Sequence, residues 1–411
     1  MIPKREILDI ATQTNLQPHV VEKDYVLGWL LAGINQHPDL SESWVFKGGT
    51  CLKKCYFETY RFSEDLDFTL RDASHIDDGF LQETFRQIAT WVYENSGIEI
   101  AVGRTTFEIY PNPRGVESCQ GRLYYRGPVT PAGKHAMPRI KLDLTVDEVL
   151  VDTPNLTPVR HGYSDFPSAD IHILSYSYAE VFAEKIRALK ERTRPRDLYD
   201  VINFFRRPES LQLAGPVQEI LKKKCEHKNI SFPLQSDLED HKDSCEAGWK
   251  DQLAHQLPAL PPFDSFWNEL VAFFSWLEHP ENIAQTQELI PGGANEVHAN
   301  IWRKGVDSSR ANMLDLIRFA AVNRLCVEIY YQKENEIKKN YLIEPYSLRA
   351  TADNQLLLYG VKLPVAQIRS FRTDRILSVK ITEDAFVPRY AVDFIPDGPV
   401  SLNVKIRPIK S

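Results

Sequence analysis

Two aspartates spaced two residues apart, Asp65 and Asp67, are the residues of this chain best suited to chemistry. They lie in the alternation D-L-D-F, which predicts a short β-strand. Side chains at i and i+2 of a strand point to the same face, so the two carboxylates would repel each other unless a cation lay between them. Mg²⁺ prefers hard oxygen ligands and is often held by one or two carboxylates together with substrate phosphates. The spacing therefore indicates a divalent-cation site, although D-x-D also occurs on solvated surfaces.

A glycine pair, Gly48 and Gly49, precedes the aspartates at the predicted start of a helix that runs to about Thr59. Residues without a Cβ let backbone N–H groups approach a phosphate closely, and a helix N-terminus favours an anion. A lone Gly-Gly pair is more often a turn. Followed by the R-F-S-x-D-L-D-F strand, the pair indicates phosphoryl or nucleotidyl transfer.

The residues around both features resemble those of the AbiEii/AbiGii-type nucleotidyltransferase toxins, a family within the DNA polymerase β-like superfamily. The resemblance covers about residues 1–285 and rests on motifs in the family's order: V-E-K-D-Y from Val21, F-K-G-G-T from Phe46 with R-F-S-x-D-L-D-F from Arg61, I-K-L-D-L-T from Ile140, E-K-x-x-A-L from Glu184 and R-D-L-Y-D from Arg196. It implies an α+β fold, in which a mixed nucleotidyltransferase sheet with helices is followed by a helical half from about residue 175.

The resemblance also implies roles for individual residues. The expected metal ligands are Asp65, Asp67 and Asp143, and the expected catalytic residues are these three with Lys185 and Asp197. The expected nucleotide-binding residues are Gly48, Gly49, Thr50, Lys54 and Ser63. Other interpretations stay open: Asp143 as an edge-strand charge, Lys185 as a lysine that extends to water, and Asp197 as an acidic residue favourable near a helix N-terminus.

A second change of pattern occurs in the last quarter of the chain. After a predicted helix at Met313–Asn323, short alternating strands follow one another from Cys326 to Ile381, which is typical of a small β-barrel or curled sheet. Segments of this region resemble a WYL domain, an Sm-like barrel: V-E-I-Y-Y from Val327, I-E-P-Y from Ile343 and I-R-S-F-R-T-D-R-I from Ile368. Where that family has Trp-Tyr-Leu, this chain has Leu356-Leu357-Leu358.

The C-terminal region is also the more basic part of the chain. From residue 309 to the end it carries 16 Lys and Arg against 11 Asp and Glu, although the whole chain has a net charge of −7. We therefore expect a nucleotide or single-stranded nucleic acid to bind there, through Tyr331, Tyr346, Arg369, Arg372 and Arg375. Arg369 and Arg372 would face opposite sides of a straight strand unless a bulge intervened. The alternative is that these arginines form surface ion pairs with Glu344 and Asp374.

The segment Pro291-Gly292-Gly293 marks a turn or linker between these two regions. The predicted organisation is a nucleotidyltransferase domain over 1–285, a linker over 286–308 and a WYL-like domain over 309–411. The six cysteines are scattered without a C-x-x-C pair, and no apolar run approaches the length of a membrane span. These features favour a reducing cytoplasm and no membrane partner.

A third stretch, residues 101–145, mixes basic and aromatic side chains. Its members are Arg104, Arg114, Arg122, Arg126, Lys134, Arg139 and Lys141, with Tyr110, Tyr124 and Tyr125 between them. Such a mixture is typical of nucleic-acid backbone contact with base stacking. It is equally typical of a solvated hairpin edge.

These patterns together predict a Mg²⁺- or Mn²⁺-dependent nucleotidyltransferase that transfers a nucleoside monophosphate from an NTP to an RNA acceptor. The resemblance implies the tRNA 3′ end as a candidate acceptor, a toxin or phage-defence role, and an antitoxin partner. Two alternatives remain: a non-catalytic regulator that binds nucleotide or nucleic acid, and a phosphotransferase that acts on protein.

Overall fold

The computed structural model describes residues 1–57, 61–130, 137–165, 171–281, 287–292, 295–296, 308–353 and 355–394, with the backbone alone for 295–296 and 308–312. Two compact units are present. The first comprises Met1–Arg187 and Pro216–Pro233, and the second comprises Ala188–Gly215 and Leu234–Asp397, each in its described part.

The helices are, in chain order, α1 (Lys4–Thr14), α2 (Pro18–Gln36), α3 (Pro38–Ser41), α4 (Gly48–Cys51), α5 (Asp78–Ser96), α6 (Tyr178–Arg192), α7 (Pro195–Phe205), α8 (Ala214–Lys228), α9 (Ser236–Glu239), α10 (Lys242–Leu253), α11 (Asp264–Trp267), α12 (Leu270–Glu278) and α13 (Ser308–Val322). The strands are β1 (Trp44–Lys47), β2 (Asp65–Leu70), β3 (Glu99–Ile100), β4 (Thr106–Pro111), β5 (Glu117–Arg126), β6 (Arg139–Thr145), β7 (Asn155–Pro158), β8 (His172–Ser175), β9 (Asn295–Glu296), β10 (Leu325–Gln332), β11 (Lys338–Ala350), β12 (Leu356–Lys362), β13 (Gln367–Arg372) and β14 (Ile376–Ala385).

The first unit is built on a mixed sheet in the order β3-β5-β6-β2-β1-β8-β7, with β4 also paired to β5. The pairs β2–β6 and β1–β8 are parallel, and the other pairs are antiparallel. This arrangement confirms the predicted mixed sheet with helices. The central strand β2 has hydrogen-bonded neighbours on both edges.

The alternation of β2 explains why it holds its carboxylates on one face. Leu66 and Phe68 are fully buried, and the Phe68 ring packs against Trp44 with the ring centroids 5.3 Å apart. Asp65 and Asp67 then lie on the opposite, partly buried face. The apolar face of the strand therefore fixes the direction in which the acidic pair points.

The helix predicted from Gly49 is shorter than the sequence indicates. The α-helical part ends at Cys51, and one π-helical turn over Leu52–Tyr56 follows before the chain extends at Phe57. The backbone amide of Phe57 donates to the carbonyl of Leu52 at 2.7 Å, which closes that turn. The tail of the prediction, 58–59, lies outside the described residues.

The second unit combines helices with an antiparallel sheet in the order β13-β12-β11-β10-β14, to which β9 adds against β11. Within the described part of the chain no ladder joins β13 to β14, so the sheet is an open path there. Strand β11 is continuous, whereas the sequence pattern predicts two separate strands, Lys339–Glu344 and Tyr346–Ala350. Its ladder with β12 is irregular between Pro345 and Ser347, because proline has no backbone N–H to donate.

Candidate active site

The register between two strands, β2 and β6, brings the predicted metal ligands together. In the parallel ladder between β2 and β6, Asp67 pairs with Asp143 and Asp65 pairs with Lys141. Paired residues on adjacent strands project to the same face at short separation. Two carboxylates that are 76 positions apart in the sequence are therefore neighbours on one sheet face, beside a third.

The carboxylates on this face repel one another, which disfavours their ionised forms. Burial and the charge of Asp143 raise the pKa of Asp67 to about 7, against the opposing effect of the Lys47 and Lys185 charges. Burial also raises the pKa of Asp65, where Lys141 acts in the opposite direction and Asp143 in the same one. Repulsion of this kind is what a bound divalent cation relieves.

The fit of a metal ion rests on the donor chemistry of this face. No group of three or more His, Cys, Asp or Glu side chains stands ready to hold a metal among the residues that the structure describes. The adjacent carboxylates of Asp67 and Asp143, with Asp65 on the same face, are nevertheless the oxygen donors that Mg²⁺ and Mn²⁺ take. Asp143 also accepts a hydrogen bond from Gln120 Nε2 at 3.2 Å, which orients its carboxylate.

The structure shows a steric reason for the glycine pair that the sequence pattern did not indicate. Gly48 has a left-handed φ of +79°, and a Cβ there would stand 2.1 Å from Asp67 Oδ2. A Cβ on Gly49 would stand 2.6 Å from Arg61 Nη2 and 3.0 Å from Ser63 Oγ. The glycines therefore make room for side chains of the same site. Thr50 Oγ1 donates to the carbonyl of Asp65 and ties this turn to β2.

A buried lysine that sequence reasoning missed stands opposite Asp67. Lys47 is the partner of Asp67 in the antiparallel β1–β2 ladder. Its Nζ lies 3.5 Å from Glu184 Oε1 and 3.8 Å from Glu148 Oε1. Burial alone would lower the pKa of Lys47, but Glu184, Glu148 and Asp67 raise it, so the ammonium stays charged. The signal was present in F-K-G-G-T, where this lysine precedes the glycines.

The carboxylates that hold Lys47 belong to a wider buried ion network. Lys224 Nζ lies 3.0 Å from Glu180 Oε1 and 3.5 Å from Glu184 Oε2. Burial works against ionisation of Glu184, but the charges of Lys47, Lys224 and Arg187 hold its pKa well below the usual range. The network therefore holds charged groups of both signs, and one of them, Lys47, acts on Asp67.

Lys185 lies next to this network and acts on the site. Its side chain is buried, and its positive charge is among those that lower the pKa of Asp67. The structure therefore brings Lys185 within electrostatic reach of the carboxylate pair.

A basic strip adjoins the acidic residues on the same sheet face. Along the β5–β6 ladder, Arg122 pairs with Lys141 and Tyr124 pairs with Arg139. The Arg104 guanidinium stacks over the Tyr124 ring, 4.7 Å from its centroid. Tyr125 points the other way and is fully buried, and Lys134 lies outside the described residues.

The aromatic residues predicted to bind a ligand in the second unit are core or packing residues. Tyr346 is fully buried, donates to Glu344 Oε2 at 2.9 Å and packs against Phe386. Tyr331 packs edge-on against Phe371, with the centroids 5.3 Å apart. Tyr346 is therefore unavailable to a ligand, which contradicts that prediction.

The predicted arginine pocket does not form either. The β12–β13 ladder runs without a bulge, so Arg369 and Arg372 face opposite sides of β13. Arg372 pairs with Asp374 at 2.7 Å, as the surface alternative predicts, and Arg375 pairs with Glu334 at 3.1 Å. Glu344 pairs with Arg389 instead, at 3.2 Å.

Comparison with known families explains the first unit. The model of the family described as "Nucleotidyl transferase AbiEii toxin, Type IV TA system" matches residues 29–269, which is more than half of the chain. The chain belongs to the AbiEii nucleotidyltransferase toxin family. The WYL-domain model matches residues 312–381, so the antiparallel sheet of the second unit lies in a WYL domain.

Solved structures give a weaker likeness. MenT4, a nucleotidyltransferase toxin of Mycobacterium tuberculosis H37Rv, is 17% identical with a TM-score of 0.43, covering 68% of this chain and 90% of its own. The proteasome accessory factor B/C of Arthrobacter aurescens is 13% identical with a TM-score of 0.20, covering 89% of this chain and 71% of its own. Both scores are too low to transfer function. Comparison with curated proteins gave no match.

Within the AbiEii region, Lys54 has a partner in the protein itself. Its buried Nζ lies 2.7 Å from Asp24 Oδ2 and also donates to the Asp24 carbonyl at 2.9 Å. Removing such an ammonium from its carboxylate would leave a buried charge unpaired, which is strongly unfavourable. The nucleotide-binding role of Lys54 stays a prediction, and the site proposed below is argued from other residues.

Asp197 lies in the second unit, at the start of α7. Its carboxylate is buried and accepts two hydrogen bonds from Arg192, at 2.7 Å and 2.9 Å. This bidentate pair neutralises Asp197 within its own unit. Its catalytic role stays a prediction.

Proposed function

We propose that this AbiEii toxin transfers a nucleoside monophosphate from an NTP to a hydroxyl of an RNA acceptor, with Mg²⁺ or Mn²⁺ bound on the face of β2 and β6. The observation that carries the proposal is the in-register pair of Asp67 and Asp143, with Lys47 opposite Asp67 across the ladder. Acidic neighbours held in place by buried cations are the arrangement that metal-assisted phosphoryl chemistry needs.

The roles of the residues follow from their surroundings. Asp65, Asp67 and Asp143 would hold the metal, which supplies positive charge to the triphosphate and the leaving oxygens. Lys185 adds a positive charge on the same side as the carboxylates. Asp143, oriented by Gln120, is the carboxylate suited to accept the proton of the attacking hydroxyl.

For the nucleotide, the turn between β1 and β2 offers small and polar groups. Ser63 and Arg61 stand against Gly49, and Thr50 holds the turn to β2. We assign the triphosphate to this turn because Arg61 and Ser63 can donate hydrogen bonds to phosphate oxygens.

The basic strip of Arg122, Lys141 and Tyr124 supports a nucleic-acid acceptor. It lies beside the carboxylates on the same sheet face. The phosphates of a bound nucleic acid would contact the cations there, and its bases would stack on the tyrosine ring. Tyr110 is 40% exposed, and burial together with the charge of Asp143 raises its pKa, so this ring is also near the site. The tRNA 3′ end as acceptor comes from the family resemblance.

The cellular part of the proposal is a cytoplasmic toxin with an antitoxin partner and a phage-defence role. Across the described part of the chain, no helix combines the length and the apolar character that crossing a membrane demands.

The test is transfer of label from each α-³²P-NTP to total RNA, with Mg²⁺, Mn²⁺ or a chelator present. Wild type should label RNA only when a divalent cation is present. Asp67→Asn should give no labelled RNA under any of these conditions. Asp9→Asn is the matched control, since Asp9 is exposed on α1, where it pairs with Arg5 at 3.6 Å. Equal labelling of RNA by wild type and Asp67→Asn would contradict the proposal.

Mass spectrometry of the purified chain after incubation with ATP separates the alternatives. A phosphate adduct on the chain would favour a protein phosphotransferase. Nucleotide binding without turnover of any RNA would favour a regulator.

A further inference from the structure

A pocket in the second unit collects arginines that the proposed reaction does not use. Its cavity volume is about 30 Å³, and the residues around it include Arg206, Arg207, Glu209, Arg324, Asp393 and Phe394. This volume holds about two water molecules, so the cavity suits a small group such as a phosphate.

The first of these arginines is fully engaged by the protein. Arg206 pairs with Glu269, with Nη2 2.8 Å from Oε1, and donates to the carbonyl of Ser265 at 2.8 Å. Its guanidinium also stacks on Phe266, 4.1 Å from the ring centroid. Arg206 therefore has a structural role and forms one wall of the pocket.

Arg324 is different, because one of its guanidinium nitrogens has no hydrogen-bond partner in the described parts of the chain. That nitrogen, Nη1, is buried. Burial and the positive charges of Arg206 and Arg207 lower the pKa of Arg324, while Glu269 and Tyr346 act in the opposite direction. A buried donor with no acceptor is unfavourable unless a ligand supplies one.

The backbone at Arg324 adds a second cost. The residue joins α13 to β10 with a φ of +58°, in the left-handed region where Gly or Asn is the usual choice. A purely structural turn would be better served by either of those residues. The guanidinium, rather than the turn, is therefore the feature that needs an explanation.

The remaining walls fit an organic group attached to an anion. Val322, Val392 and Phe394 supply apolar surface, and the carboxylate of Glu209 is an acceptor for a hydroxyl group. Planar guanidinium groups match the oxygens of a phosphate with paired hydrogen bonds.

We propose that this pocket binds the phosphate group of a phosphorylated small molecule, with the phosphate on Arg324 and the organic part outside the cavity, against Val322, Val392 and Phe394. The site is separate from the β2–β6 face and does not depend on the proposed transfer reaction. Such a site would let the WYL-containing unit respond to a phosphorylated metabolite.

The experiment uses the full chain in a phosphate-free, metal-free buffer, with binding followed by calorimetry and by the melting temperature. The probes are inorganic phosphate, AMP and adenosine. Wild type should bind AMP more tightly than phosphate and should not bind adenosine. The affinity for AMP should fall at least tenfold in Arg324→Gln, less in Arg324→Lys, and not at all in Arg369→Gln, whose arginine is exposed on β13.

Two further measurements keep the result decisive. AMP binding should persist in Asp67→Asn, so that loss of transfer activity and loss of this site are distinguishable. Without ligand, Arg324→Gln should melt no lower than wild type, because it removes a charge that burial, Arg206 and Arg207 disfavour and leaves the left-handed backbone unchanged. Equal AMP affinity in Arg324→Gln and wild type, equal binding of adenosine and AMP, or a large loss of stability in Arg324→Gln would overturn the proposal.

Discussion

The acidic face of the first unit and the arginine-rich strand of the second unit were predicted from equally local patterns, yet only one forms a cluster. Asp67 and Asp143 are far apart in sequence and adjacent in the β2–β6 ladder. Arg369 and Arg372 are three residues apart and lie on opposite faces of β13. Strand register brings distant residues together, and strand alternation separates near ones.

The two regions also differ in how their charges are satisfied. Lys47 is buried between carboxylates that come from distant parts of the chain, so its position is specified by the fold. Arg372 pairs with Asp374, two residues away, at the surface. Charges fixed by distant partners are the ones on which a precise site can be built.

The comparison can be broken most directly at the carboxylates. Asp143→Asn should reduce nucleotidyl transfer at least about 100-fold, because it removes the proposed metal ligand and proton acceptor in one change. Arg372→Ala, the matched change in the second unit, should leave the transfer rate within about twofold. Both rates can be measured with labelled NTP at saturating RNA. A larger loss with Arg372→Ala than with Asp143→Asn would reverse the assignment of the two regions.

Removal of the buried ammonium should test the network behind the site. Lys47→Met should lower the free energy of unfolding by about 3 kcal/mol, because Glu148 and Glu184 then lose a buried counter-charge. Denaturant titration of wild type and variant measures this difference. Lys53→Met is the control, since Lys53 is partly exposed in the neighbouring π-helical turn. A similar small change in both variants would mean that the network tolerates the loss.

The close approach at the glycine turn gives a third test. Gly48→Ala should cost about 2 kcal/mol of stability, because alanine would have to adopt the left-handed φ of Gly48. It should also slow transfer, because the new Cβ would displace the Asp67 carboxylate. Gly103→Ala is the matched control, since a Cβ there meets nothing within 4 Å. If the two variants unfold at the same denaturant concentration, the turn is more adaptable than the structure indicates.

The raised pKa of Asp67 predicts a pH dependence that sharpens the contrast further. The folded chain holds this proton up to about pH 7, whereas the unfolded chain releases it near 3.8, so the contribution of Asp67 to stability is full below pH 3.8 and is lost as the pH rises through 7. The melting temperature of Asp67→Asn should therefore gain on that of wild type between pH 5 and 8. Added Mg²⁺ should reduce the gap at pH 8 by stabilising the ionised carboxylate. A gap that does not vary with pH would place the titration elsewhere.

The smallest expected effect is at the surface pair. Asp374→Ala should leave the melting temperature unchanged within error, because an exposed ion pair between near neighbours is screened by water and salt. A clear drop, measured by differential scanning fluorimetry at low and at high salt, would show that β13 depends on this pair.

Much of the fold could be predicted because local sequence patterns determine its strands and helices. The alternation of β2 and the R-F-S-x-D-L-D-F motif placed Asp65 and Asp67, and the short strands after Leu325 predicted the second sheet. The partners of Lys47 could not be predicted, since Glu148 and Glu184 lie about 100 residues or more away and meet it only after the sheet forms. The Lys54–Asp24 pair escaped prediction for the same reason.

The position of β2 in the middle of its sheet has a consequence for dynamics and inhibition. Its backbone amides are bonded to β1 on one edge and β6 on the other, so they should exchange with deuterium only when the whole sheet opens. A face carried by such a slowly exchanging strand is difficult to deform. A protein that inhibits this nucleotidyltransferase would therefore do so by covering the acidic face or the proposed RNA-binding strip, and not by bending β2.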